Sequence, residues 1–243
     1  MPDAFISRNE LEPVLAYLES QPGIREILVS GGDPLCADNG ELEELFTKLR
    51  KARPGILIRL CSRVPITNPE RLTRETISLL MRFRPMRLVT HINHPKELGT
   101  GDQGPGTNSI SAGVVLTSVA AAGIPVHVQT VLLRGINDNA EILAALFRAC
   151  LDLGLSPYYL FQLDLAPGAA HFRVPLKEGL SIYRDLGRRI GGLGLPAFAV
   201  DLPGGGGKIR LDESVIAGEE DRPGGGVFLL KGMDGRLWAY PAD

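Results

Sequence analysis

The chain has 243 residues, 44% of them hydrophobic and 22% charged, with a formal net charge of −2. That is enough for one sizeable core, and α/β barrels often reach this length as a single domain. There is no basic excess to suit nucleic acid, no acidic run to suit a disordered tail, and no apolar stretch of membrane-spanning length. Met1-Pro2-Asp3 turns amphipathic at once instead of reading as a signal peptide, so a cytoplasmic protein is expected. The three cysteines, Cys36, Cys61 and Cys150, are widely spaced and odd in number. They read as reduced small core residues, not as a disulfide framework or a zinc or cluster motif.

The first helix is expected from Ser7 to Leu18. Ser7 can cap it, Glu10 follows three residues on, and Leu11, Val14, Leu15 and Leu18 make one apolar face. Pro22-Gly23 stops it, and Ile24 to Val29 reads as a buried strand ending in the tight loop Ser30-Gly31-Gly32-Asp33-Pro34. Leu42, Leu45, Phe46 and Leu49 repeat at helical spacing, and a strand follows from Ile56 to Cys61. Ile77, Leu80 and Met81 lie on a helix, Met86 to Ile92 on a strand, Val114 to Ala122 on a helix and Val126 to Leu133 on a strand. Ala140 to Leu153 is a helix, Tyr158 to Leu163 a strand, Leu180 to Ile190 a helix and Ala197 to Val200 a last strand.

Strands alternating with helices imply parallel βαβ units. Asp33, Arg63, His91, Gln129, Asp164 and Asp201 fall at or just past the carboxyl ends of six different strands. In a barrel those ends converge on one mouth, whereas in an open sheet they spread along an edge. The expectation is therefore an α/β fold, with a parallel (β/α) barrel or part of one favoured over a doubly wound sheet.

Gly204-Gly205-Gly206-Gly207-Lys208 fails as a phosphate loop, because Leu202 and Ile209 break that motif. It reads either as a flexible loop or as a lysine placed where backbone must approach a bulky cofactor such as pyridoxal phosphate. Gly99 to Gly104 matches a dinucleotide fingerprint letter by letter, but no strand leads directly into it and Pro105 follows, so it reads as a mobile loop. His91, His94 and Asp164 could hold zinc or iron, or simply hydrogen-bond at the mouth. Asp164 and Asp201, each flanked by apolar residues, would repel unless a cation lies between them.

Six motifs occur in order: Ser30-Gly31-Gly32-Asp33-Pro34-Leu35, Thr90-His91-Ile92-Asn93-His94-Pro95, the run Gln129 to Asp138, Pro157-Tyr158-Tyr159, His171-Phe172-Arg173, and Asp201-Leu202-Pro203 followed by four glycines and Lys208. Together they resemble lysine 2,3-aminomutase and its relatives over nearly the whole chain. The resemblance implies a partial barrel of the radical S-adenosylmethionine type in residues 1–203, with 204–243 carrying the pyridoxal phosphate lysine and the tail. It implies that Gly31, Gly32, Asp33, His91 and Gln129 contact S-adenosylmethionine. Lys208 would hold pyridoxal phosphate, and Asp164 and Asp201 would bind the distal ammonium of a lysine substrate. The family chemistry is an isomerisation: a 5′-deoxyadenosyl radical takes hydrogen from the β carbon, and the nitrogen migrates there from the α carbon. The partners are then a small amino acid and, in the complete enzyme, further copies of the chain, with no nucleic acid and no membrane.

The family's [4Fe-4S] motif, Cys-x3-Cys-x2-Cys, belongs upstream of the Ser7 helix, so the chain is expected to lack cluster ligands, to be truncated and to be inactive alone. Leu98 to Ala112 looks like an insertion, and Phe161 stands where the family often has tyrosine. The alternatives are a metal-dependent barrel hydrolase using His91, His94 and Asp164, and a cluster-less binding remnant.

Overall fold

The computed structural model describes residues 8–99, 110–222 and 225–242. Ser7, most of the Gly99–Gly104 run and the middle of the expected insertion lie outside the described residues. The chain divides into two compact units. One comprises Met1–His91, Leu98–His127 and Leu153–Leu155; the other comprises Ile92–Glu97, Val128–Asp152 and Ser156–Asp243.

In the first unit, helix α1 (Arg8–Ser20) leads to β1 (Glu26–Val29), α2 (Asn39–Ala52) and β2 (Leu57–Cys61). The short α3 (Val64–Thr67), then α4 (Arg74–Arg82), β3 (Met86–His91) and α5 (Ala112–Ala121) follow. Helix α2 starts with a capping box: Asp38 Oδ1 accepts from Glu41 N at 2.9 Å, and Asp38 N donates to Glu41 Oε2 at 2.8 Å. Its periodic apolar residues, Leu42, Leu45, Phe46 and Leu49, are buried. The Arg50 guanidinium then fastens its far end, donating to the carbonyls of Ile56 at 2.5 Å, Pro85 at 2.9 Å and also Phe83. Strands β1, β2 and β3 pair in parallel, with Val29 opposite Leu60 and Leu60 opposite Leu88. On β2 the side chains alternate, Ile58 and Leu60 buried and Leu57, Arg59 and Cys61 half-buried, so one face of the strand is packed more deeply than the other.

Strand β4 (Val126–Val131) begins in the first unit and ends in the second. The second unit continues with α6 (Ala140–Asp152), β5 (Ser156–Phe161), α7 (Leu176–Arg189) and β6 (Ala197–Leu202). Next come β7 (Gly207–Arg210), β8 (Ile216–Arg222), β9 (Gly225–Lys231) and β10 (Leu237–Pro241). Strand β5 is parallel to β6, β7 turns back antiparallel to β6, and β10-β9-β8 form a separate antiparallel sheet. Hydrogen bonding orders the larger sheet β1-β2-β3-β4-β5-β6-β7.

Beyond Leu202, strands β7, β8 and β9 form in a stretch for which no strand is expected from the sequence. One sequence expectation needs correction. The cysteines are not all core residues: Cys150 is buried, Cys61 half-buried and Cys36 exposed. Burial pushes the Cys150 thiol up to about 12, which leaves it inert at neutral pH.

Candidate functional site

In the first unit, Gly31 and Gly32 are exposed just past the end of β1, and Gly31 adopts φ 124°, open to glycine but strained for other residues. Asp33 caps the next short turn, accepting from Leu35 N at 3.1 Å. The same carboxylate accepts from Ser62 Oγ at 2.6 Å, Arg63 N at 2.6 Å and Val64 N at 3.2 Å. Four donors thus converge on Asp33, and it latches the loop after β1 to the loop after β2. His91 is the last residue of β3 and half-buried.

Below His91, on the same face of β3, stands Arg87, whose Nη1 lies 3.0 Å from His127 Nε2. Arg59 pairs with Glu26 at 2.8 Å. Burial, then Arg87 and Arg59, lower the His127 pKa from the ordinary imidazole value, so its ring is neutral and accepts from Arg87.

In the second unit, Gln129 lies within β4, two residues before its end, and half-buried. Asn93 and Asn137 link two of the ordered motifs. Asn137, fully buried, donates to the carbonyls of Asn93 and Val131, both at 2.8 Å, and accepts from Leu133 N at 2.7 Å. Asn93 Oδ1 accepts from Val131 N at 2.9 Å. A third motif is tied in by Arg134, whose backbone N–H donates to the Phe172 carbonyl at 2.8 Å and whose Nε donates to the Arg173 carbonyl at 2.9 Å. Much of the motif set therefore builds loops.

Asp201 and Lys208 are register partners across β6 and β7, and Lys208 Nζ donates to Asp201 Oδ2 at 2.7 Å. The lysine side chain is 36% exposed and the aspartate 48%. Lys208 Nζ also lies 3.9 Å from the centroid of the Phe161 ring and 5.5 Å from that of Tyr159. The cation beside Asp201 is thus the chain's own lysine. The connection between the strands explains its glycines: Gly204, Gly205 and Gly207 have φ of 68°, 86° and 77°. At Gly206, a Cβ would come within 2.7 Å of Leu202 Cβ and of the Trp238 ring.

Asp164 is exposed, three residues past β5. Next to it, the Leu163 carbonyl accepts from Tyr240 Oη at 3.3 Å. Tyr240 is buried, and burial pushes its hydroxyl up to about 12, so it remains a donor. Strand β10 thereby holds the stretch that carries Asp164. No sequence signal marked Tyr240, because its partner lies on a distant segment.

Of the expected metal ligands, His94 Nδ1 accepts from Lys96 N at 3.2 Å. Among the described residues, no group of three or more His, Cys, Asp and Glu side chains is placed to hold a metal ion. The hydrolase alternative has no geometric support. Among the described residues, no helix is long and apolar enough to cross a membrane.

Solved structures with similar folds include a protein bound to S-adenosylmethionine and a radical SAM methyltransferase. Streptococcus suis SuiB bound to S-adenosylmethionine matches at TM-score 0.54 and 12% identity, over 81% of this chain and 45% of that one. A radical SAM methyltransferase from Sphaerobacter thermophilus matches at TM-score 0.54 and 15% identity, over 79% and 56%. The fold is an incomplete, mostly parallel (β/α) barrel, with β7 as its antiparallel strand. No protein-family model matches the chain. Its sequence relatives are more specific. A Treponema pallidum (strain Nichols) protein provisionally named L-lysine 2,3-aminomutase is 43% identical over 242 residues, covering 98% of this chain and 64% of the relative. The L-lysine 2,3-aminomutase of Fusobacterium nucleatum subsp. nucleatum is 36% identical over 98% of this chain and 53% of its own length. The glutamate 2,3-aminomutase of Clostridioides difficile (strain 630) is 31% identical over 86% and 47%. Over nearly its whole length the chain is thus similar to proteins named as lysine 2,3-aminomutases. It spans between about half and just under two thirds of the length of these relatives.

Proposed function

We propose that the chain carries the amino-acid and pyridoxal phosphate side of a lysine 2,3-aminomutase-type isomerase, which moves the α-amino group of a basic amino acid to the β carbon. In this reading, residues 1–203 are the barrel part, and 204–243 bear the cofactor lysine and the tail. The observation that supports it most is the Asp201–Lys208 pair. An amine able to bond an aldehyde stands 2.7 Å from a carboxylate able to hold an ammonium.

Pyridoxal phosphate fits this end of the chain, because Lys208 is partly exposed, follows a glycine turn and has aromatic rings beside it. When bound, that cofactor supplies a conjugated ring to which the substrate amino group is attached. Lys208 would hold it, while Asp164 and Asp201 receive the distal ammonium of lysine. In the first unit, the exposed backbone of Gly31 and Gly32 would meet S-adenosylmethionine, with Asp33 fixing their loop, and His91 would contact the same ligand. Gln129, in the second unit, has the same assignment. The described cysteines do not fit an iron–sulfur cluster, since Cys36 is exposed, Cys61 half-buried and Cys150 buried, with no trio gathered as ligands.

The test is conversion of lysine to β-lysine by the protein at its full natural length, with reconstituted cluster and both cofactors under anaerobic reduction. Lysine isomerised faster than arginine or glutamate supports the reading; no isomerisation of any of the three contradicts it. Calorimetry tests the ammonium site. Asp164→Ala and Asp201→Ala should each weaken lysine binding at least about tenfold, the value of one charge-assisted hydrogen bond, while pyridoxal phosphate still binds. Unchanged lysine affinity in both variants would remove that assignment.

A further inference from the structure

We infer that Asp201, Phe161 and Tyr159 form an ammonium clamp that Lys208 itself occupies when no ligand is bound. The clamp is built by register. Phe161 on β5 lies opposite Ala199 on β6, Ala199 lies opposite Arg210 on β7, and Asp201 lies opposite Lys208. Ala199 is fully buried, and its methyl group is too short to shield the Phe161 face from the lysine reaching across it. The ammonium meets a carboxylate oxygen at 2.7 Å and two ring centroids at 3.9 and 5.5 Å. Both rings are within the range at which an aromatic face attracts a cation. The rings also brace each other, with centroids 5.0 Å apart at 31°. A carboxylate with two aromatic faces is a recognition site for primary alkylammonium groups, and here a tethered one fills it.

The consequence rests on the aminomutase reading. With Lys208 holding pyridoxal phosphate, its side chain would no longer fill the clamp, and the alkylammonium of a substrate could take its place. Asp201 is then a positioning residue for Lys208 before it is a substrate contact, and the aromatic pair contributes to the preference for basic side chains. Phe161 supplies its part through the ring face alone, with no hydroxyl needed.

The test uses the full chain without cofactor and n-butylammonium chloride as the probe. Lys208→Met empties the clamp, and it should bind the probe at least about fivefold tighter than the parent, in which the tethered ammonium competes at millimolar effective concentration. Adding Phe161→Leu or Asp201→Asn to Lys208→Met should weaken the probe by about two- to fivefold. A second measurement does not depend on Lys208→Met. Acetylation of Lys208 by acetic anhydride, read by mass spectrometry against Lys231, should be at least about twofold faster in Asp201→Asn and in Phe161→Leu than in the parent. Equal probe affinity in parent and Lys208→Met, or an unchanged acetylation ratio in both single variants, overturns the clamp. Either failure leaves the cofactor assignment of Lys208 intact, because borohydride trapping reads that separately.

Discussion

Asp33 illustrates how a residue can be placed by sequence while its work stays hidden. Its position past a strand end is legible from the apolar run Ile24 to Val29 and the Gly31-Gly32 break. Its four donors are not, because three come from Ser62, Arg63 and Val64, beyond the next strand. Asp33→Ala should cost roughly 2 kcal/mol or more in thermal unfolding, since several part-buried donors lose a charged acceptor. Asp33→Asn, which keeps one acceptor oxygen, should cost less; equal stability of parent and Asp33→Ala would show that the latch is idle. His127 gives a pH signature. Its folded pKa is depressed, so its contribution to stability is complete above the unfolded value of about 6.5 and is lost as pH falls through the lower folded value. Replacing it by glutamine, which can still accept from Arg87, should make the melting temperature fall less between pH 8 and pH 5. An identical pH dependence in His127→Gln and parent would contradict the neutral, acceptor state of the ring.

At the scale of elements, the β6–β7 connection separates two uses of glycine. Gly205 has open space around it and φ 86°, so only backbone strain opposes a side chain there. Gly206 has a negative φ but no room, with Leu202 and Trp238 each 2.7 Å from where a methyl group would sit. Gly205→Ala should destabilise by about 1–2 kcal/mol through the left-handed conformation. Gly206→Ala should cost about 1–3 kcal/mol through overpacking, and truncating Trp238 in the same chain should recover part of that loss. Costs that add independently would mean that Trp238 is not what crowds Gly206. In sequence the four glycines read as loop or as cofactor clearance, because Trp238 sits about thirty residues on and a four-residue strand shows too little alternation to be seen.

For the molecule as a whole, the βα rhythm is readable because its helices carry capped apolar stripes and its parallel strands are short apolar runs bounded by Pro and Gly. Leu42, Leu45, Phe46 and Leu49 are expected on one helix face and are all buried there. The tail is less readable as structure, since β8, Ile216–Arg222, is mostly charged and β9 begins among glycines. Asp201 and Lys208 both stand out in sequence, but their pairing does not, because it depends on an antiparallel return strand that no pattern announces. The functional reading turns on whether Lys208 is the lysine that holds pyridoxal phosphate. Borohydride reduction of the protein loaded with that cofactor, followed by peptide mapping, answers this directly. One reduced adduct at Lys208, absent in Lys208→Ala, is the expected outcome; an adduct at Lys177 or Lys231, with Lys208 unmodified, would contradict it.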